Sequence, residues 1–219
     1  MISEDPGAAA PGPLKKTKSG NASVVSGEDT MRANVYGLLA RLLTAPPSDD
    51  TLEILRSLKV SDDGTGICKA LASLSSIAAR TSRAEAEDEF TRLFYGLGAG
   101  GEITPTASYY LTGFINEKPL ANLRQDLMEL GITVSGLNKE PEDHIAFLCE
   151  VMHGMIVGTL SEGVGLNRQK AFFQKHMMSW AMRVFEDLEK AEAAVLYMPV
   201  GTVGRLFIAV ETEGFEMTP

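Results

Sequence analysis

Cysteine is scarce: Cys68 and Cys149 are the only 2 in 219 residues, far apart and neither in a C-x-x-C pair. That excludes a disulfide framework and a thiolate metal site, and it fits a reducing cytoplasm. Histidine is nearly as rare. With His144, His153 and His176 as the full set of 3, any metal centre would have to borrow from neighbouring acids. Positive charge is in deficit, 20 basic against 29 acidic residues for a net −9, and no basic stripe is interleaved with aromatics. A polyanionic partner such as nucleic acid is therefore disfavoured, and a cationic peptide suits the surface. There is no run of about 18 apolar residues to span a bilayer, so stable membrane insertion is not expected. Residues 1–27 lack the apolar stretch that a signal peptide needs.

Strand-period alternation is missing as well, and the apolar residues recur at helical spacing instead. The expectation is all-α: a single-domain helical bundle over residues 28–219, preceded by a disordered tail over 1–27 that has little to bury against the entropy of ordering. A first helix carries Val35, Leu38, Leu39, Leu42 and Leu43 on one face and ends at Pro46 and Pro47. Further helices are expected over 49–58, 66–81 and 82–95, the last opened by Ser82 with Glu85 at capping-box spacing. Glu85, Glu87, Asp88 and Glu89 read as its solvated face. Another helix begins at Pro119 and stops at Gly131. A longer one is capped by Asn167 and repeats Phe173, His176 or Met177, Trp180, Val184 and Leu188; the final one follows Pro199.

Two glycine-bearing segments interrupt the pattern. Residues 97–105 lack the Gly-Lys-Ser/Thr ending and the strand-turn-helix setting of a phosphate cradle, and read as a flexible connection. Residues 131–138 read as a hinge-like loop between two helical halves, which leaves a monomer and a domain-swapped dimer both open.

The densest signal is EPEDHIAFLCEVM, from Glu140 to Met152. Pro141 suits the first position of a helix, and Glu142 and Asp143 suit its first turn, where the dipole favours negative charge. Ile145, Leu148, Met152, Met155 and Ile156 would bury one face, leaving the acids and His144 at the rim. Upstream lies EFTRLFYGLGAGGEITPTASYYLTG, from Glu89 to Gly113. Phe94, Tyr109, Tyr110 and Trp180, with the adaptable Met152, Met155, Met177 and Met178, could line an apolar groove, and Glu140, Glu142 and Asp143 could pair with guanidinium groups. Cys149 reads as a buried structural thiol. Glu150 and His153 form a Glu-x-x-His pair, half of a di-iron bundle. Phe173 stands where an acid would have to precede His176 to supply the other half.

Together the two stretches resemble the TorD/DmsD/NarJ-like redox-enzyme maturation chaperones. The resemblance runs from about residue 31 to 215 and rests on Glu140, Pro141, Glu142, Asp143 and His144, then on Arg92, Leu93, Phe94, Gly96, Pro105, Ser108 and Tyr110. It implies a cytoplasmic chaperone without catalytic residues, cofactor or metal, which binds the twin-arginine signal peptide and apo form of a molybdenum or tungsten oxidoreductase and delays export until the cofactor is inserted. Client contacts would fall on the motif residues and on Arg92, Phe94, Ser108, Tyr109, Tyr110 and Trp180. The run ASYYLTGFINEKPLANLR looks most like members associated with formate dehydrogenase. Thr106 and Ala107 depart from the bulkier, more polar pair of many members. The rival readings are a helical metal-binding enzyme using Glu150 and His153, and an assembly factor that grips a folded subunit.

Overall fold

Short polar side chains that can take up free amides set the helix starts. Ser26, Ser48, Thr65, Ser82 and Thr106 each accept a backbone N–H from the first turn of the helix that follows, and the capping box expected of Ser82 and Glu85 forms. The computed structural model describes residues 26–60, 64–96, 100–133, 140–160 and 164–217. Among these the regular elements are α1 (Gly27–Thr44), α2 (Asp49–Arg56), α3 (Gly66–Ala78), α4 (Arg83–Phe90) with a π-helical turn (Thr91–Tyr95), and α5 (Ala107–Thr112). There follow α6 (Lys118–Glu129), α7 (Ile145–Val157), α8 (Leu166–His176), α9 (Ala181–Lys190) and α10 (Tyr197–Met217). The all-α expectation holds. Of the expected tail, residues 1–25 lie outside the described residues, while Gly27 is already the first residue of α1. Most of the expected hinge, 134–138, lies outside them too.

α7 is the centre. It buries 10 of its 13 residues, so it is apolar nearly all round and every polar group at its start must find a partner inside the protein. α1 lies along α7, and α10 lies along α9 and α3. Gly204 lets α10 approach closely, because a Cβ there would overlap the Phe185 ring of α9. The N-terminal and C-terminal helices are tied by charge: Arg32 donates from Nε and Nη2 to Glu211 at 2.7 and 2.9 Å, and Tyr36 donates its hydroxyl to the same carboxylate at 2.9 Å.

Three local expectations are corrected. The helix expected to run on past His176 breaks over residues 177–180, because the Trp180 indole N–H donates to the His176 carbonyl at 2.6 Å and takes the acceptor that a continuing helix would offer the residue 180 amide. Its start is capped from Gly165 and not from Asn167, which lies inside the first turn. Pro199 sits within the first turn of α10 and does not precede it. In the glycine-rich stretch, residues 97–99 lie outside the described residues. The rest folds tightly onto the π-helical turn: Ile103 donates its N–H to the Leu93 carbonyl at 2.9 Å, and a Cβ on Gly101 would stand 2.5 Å from that same oxygen.

Glu89 overturns a fourth expectation. It is 5% exposed, no part of a solvated face, and its carboxylate accepts the backbone N–H groups of Val195, Leu196 and Tyr197 at 2.7, 3.0 and 2.8 Å. These are the free amides at the start of α10, where the helix dipole also favours a negative charge. Replacing Glu89 by alanine should cost about 3 kcal/mol of stability, because three helix-start amides, two of them buried, lose their acceptor, and glutamine should cost about half of that. Urea unfolding of the two variants checks it; a loss below about 1 kcal/mol for alanine contradicts the assignment.

Candidate functional site

Two segments 35 residues apart in sequence meet at the start of α7. Pro105 accepts the Ile145 N–H at 2.9 Å and Ala107 donates to the Asp143 carbonyl at 2.9 Å, which pairs Thr106 with His144 in one antiparallel bridge. Asp143 Oδ2 then accepts the Ser108 N–H at 2.7 Å, acting across the gap on the first turn of α5. Ser108 is fully buried, and its hydroxyl accepts the Glu117 N–H at 3.1 Å just ahead of α6. One carboxylate and one serine thus hold α5, α6 and α7 together.

The sequence expectation for Glu140 to His144 is corrected by this geometry. α7 starts at Ile145, with His144 as its cap: the imidazole Nδ1 accepts the Ala146 N–H at 3.2 Å. Pro141 stands in a turn ahead of the helix, closed by His144 donating to the Pro141 carbonyl at 3.0 Å. Backbone pairing with the α5 segment holds residue 144 extended, so the helix cannot begin earlier. Asp143, 1% exposed, and His144 are buried and do not lie on the rim. With Nδ1 accepting, the proton of neutral His144 sits on Nε2, and burial depresses the imidazole to a pKa of about 4. Glu142 pairs with Arg124 of α6 at 2.7 Å. Glu140 is exposed and lies near enough to Tyr95 to push that phenol up, after the larger effect of burial.

The other expected client residues divide into two groups. Tyr109 is exposed; Tyr110 donates its hydroxyl to Asp187 at 2.7 Å and packs its ring 5.8 Å from that of Trp180. Burial, then Asp187, pushes the Tyr110 phenol up. Trp180 is 1% exposed, so it is floor beneath Tyr110 and not a groove wall. Phe94 belongs to an aromatic cluster with Phe90 and Tyr197, at 4.7 and 5.6 Å, and Arg92 pairs with Asp88 at 2.6 Å. Among the described residues no group of three His, Cys, Asp or Glu is placed to hold a metal. His153 Nδ1 lies 2.8 Å from the Ala33 carbonyl, which anchors its imidazole against α1. Cys149 is buried, and burial pushes its thiol up.

Sequence reasoning missed two features. Phe114 and Ile115 are 70% and 56% exposed and form an apolar ledge just after α5, whose Tyr109 and Leu111 are exposed on different faces. The consecutive apolar pair between Gly113 and Asn116, both with positive φ, was the available signal. The second is a cavity of about 100 Å³ among α5, α6, α7 and α8, lined by Leu111, Leu123, Asp143, Leu148, Lys175 and His176. His176 and Lys175 both bond Asp126, each at 2.6 Å. Burial lowers the His176 imidazole against the pull of Asp126.

Residues 61–186 match the family model described as nitrate reductase delta subunit. The chain belongs to the TorD/NarJ-like family of redox-enzyme maturation chaperones. Its relatives include a chaperone protein TorD from Vibrio parahaemolyticus, 25% identical over 81% of this chain and 90% of that one. Another, from Aliivibrio fischeri, is 26% identical over 71% and 80%. The fold is shared with a crystal structure described as a redox enzyme maturation protein from Archaeoglobus fulgidus, with a TM-score of 0.54, 19% identity and coverage of 82% and 94%. As a member of a chaperone family the chain is not an enzyme.

Two outcomes follow for the TorD-like motif. Asp143→Ala leaves the buried Ser108 amide unpaired and should cost about 2 kcal/mol, more than a rim position would; unchanged unfolding in urea contradicts the staple. The unfolded chain protonates His144 near pH 6.5, the folded one only near 4, so the unfolded state holds the extra proton between those values. The stability due to neutral His144 is therefore complete above about pH 6.5 and lost as pH falls to 4, roughly 3 kcal/mol in all. Asn at position 144 keeps a cap without titrating. His144→Asn should accordingly flatten the pH profile of unfolding by about that amount, and a profile parallel to wild type contradicts the assignment.

Proposed function

We infer that this chain is a cytoplasmic chaperone for a molybdenum or tungsten oxidoreductase, one that binds the client's twin-arginine signal peptide and apo form and delays export until the cofactor is inserted. The observation that carries the reading is the exposed apolar pair Phe114 and Ile115, the ledge just after α5, whose first turn the Asp143 to Ser108 staple holds, in a chain of this family. An apolar surface of that kind next to acids suits a peptide with an apolar segment and flanking cations. Glu140, Pro141 and Glu142 form the outer face of the motif turn, and Tyr110 extends the ledge toward Asp187. Asp143, His144, Ser108 and Trp180 act beneath it by fixing its shape, whereas Arg92 and Phe94 serve the neighbouring aromatic cluster. The client is a formate dehydrogenase catalytic subunit, on the likeness of the α5 to α6 run. The chaperone acts as a monomer or a domain-swapped dimer, without cofactor.

Phe114→Glu tests the reading. The side chain stands in water, so stability should move by less than about 0.5 kcal/mol, while client-peptide affinity should fall about tenfold or more. Calorimetric titration of the formate dehydrogenase leader peptide, with unfolding measured on the same protein, reads both. Normal affinity in the variant contradicts the ledge. Capture of the folded subunit without affinity for the leader favours the assembly-factor reading.

A further inference from the structure

The densest cationic run of the chain precedes its first described residue. Lys15, Lys16 and Lys18 are the only basic residues before Arg32 in a chain of net −9, and they follow directly on Pro11, Pro13 and Leu14. Residues 11–18, PGPLKKTK, thus set a short apolar stretch beside a cluster of cations. An apolar surface next to acids suits that combination. Proline also suits an aromatic seat, because its ring is apolar and its φ is fixed before binding.

The ledge offers such a seat. The turn that carries Phe114 and Ile115 is anchored at both ends: Phe114 donates its N–H to Thr112 Oγ1 at 3.2 Å, and Glu117 donates its own to Ser108 Oγ at 3.1 Å. Charge around the turn is mixed and on balance negative. Glu117 and Glu140 are exposed, Glu142 is matched by Arg124, and Lys118 is the cation set against them.

The chain can also bring the segment there. α1 runs antiparallel to α7, with Ala33 against His153 and Tyr36 beside Cys149. Ser26 therefore lies at the end of α7 opposite the Asp143 staple, about 20 Å away along the axis of that helix. Between Leu14 and Ser26, a link of about 12 residues spans roughly 20 Å as a coil and 40 Å when extended. A tether of that length holds its end near the ledge at an effective concentration in the millimolar range.

We propose that residues 11–18 occupy the Phe114 and Ile115 ledge of their own chain when no client is bound, as a built-in competitor for that surface; the proposal rests on the client-binding reading above. Lysine holds the segment loosely, since an ammonium is strongly hydrated and lacks the planar fork of a guanidinium. A client leader can therefore displace it, and between clients the ledge is covered.

The test uses the full chain with two sets of substitutions. One combines Pro11→Ser, Pro13→Ser and Leu14→Ser and leaves the charge unchanged; the other combines Lys15→Ser, Lys16→Ser and Lys18→Ser. All six positions precede α1, so the bundle keeps its sequence. The Ile115 δ1-methyl resonance of the client-free protein reads the ledge directly and should shift in both sets relative to wild type. Leader affinity, read by calorimetry, should rise about threefold in each set, the gain from removing a competitor bound about two-thirds of the time. An Ile115 resonance unmoved in either set overturns the proposal, as does measurable leader affinity that the charge-neutral set leaves unchanged. A shift that fades on dilution puts the segment on a second copy's ledge and overturns the contact within one chain. If the resonance moves in both sets while no form of the protein binds the leader, the client reading fails and the intramolecular contact stands. If the leader binds all forms alike and the resonance is unmoved, the built-in competitor is wrong and the client reading stands.

Discussion

The Asp143 carboxylate, with the two backbone hydrogen bonds beside it, makes one site out of two separate stretches of chain. It meets the Ser108 amide in the first turn of α5, the extended residue 144 fixes where α7 begins, and Ser108 passes the constraint on to α6. Each bond is ordinary in strength. Their effect comes from burial, since an amide left open at a helix start in this core has no water to turn to. The acid-Pro-acid-acid-His element is therefore an anchor first, and whatever client surface it offers sits on the shape that this anchor fixes.

How much of this could be read from sequence depended on the range of the interaction. Helices with local start and stop signals were legible: Ser82 with Glu85, Pro119 in the first turn of α6, and Gly131 after it all behave as their spacing implies. Errors arise where a distant partner outbids a local rule. Pro141 is a good first helical residue, yet pairing with Thr106 delays the helix to Ile145. Glu89 has the look of its solvated neighbours until residues 195–197 fold over it. Trp180 continues a helical repeat, but its indole spends the carbonyl that the repeat would require. The motif residues were identifiable; that Asp143 and His144 are buried was not, because nothing adjacent to them in sequence covers them.

The apolar ledge has no origin in the packing of the fold. Large apolar side chains at Phe114 and Ile115 lower solubility and contribute little to the fold, so a monomer has no folding reason to keep them outside. The ledge stands on a short helix whose inner face is pinned by Asp143 and whose outer ring, Tyr110, is held by Asp187 and Trp180.

The polar ties of this bundle have one more implication, and it concerns kinetics. Glu89 reaches residues 106 to 108 positions away, the Tyr197 hydroxyl reaches the Leu42 carbonyl 155 positions away, and Arg32 meets Glu211 across 179. Helical proteins fold fast when their contacts are local, because little loop-closure entropy is spent before a contact forms. Here the helices form locally but their arrangement is fixed by closures of nearly the whole chain. The final topology thus depends on the meeting of remote segments as well as on local helix formation.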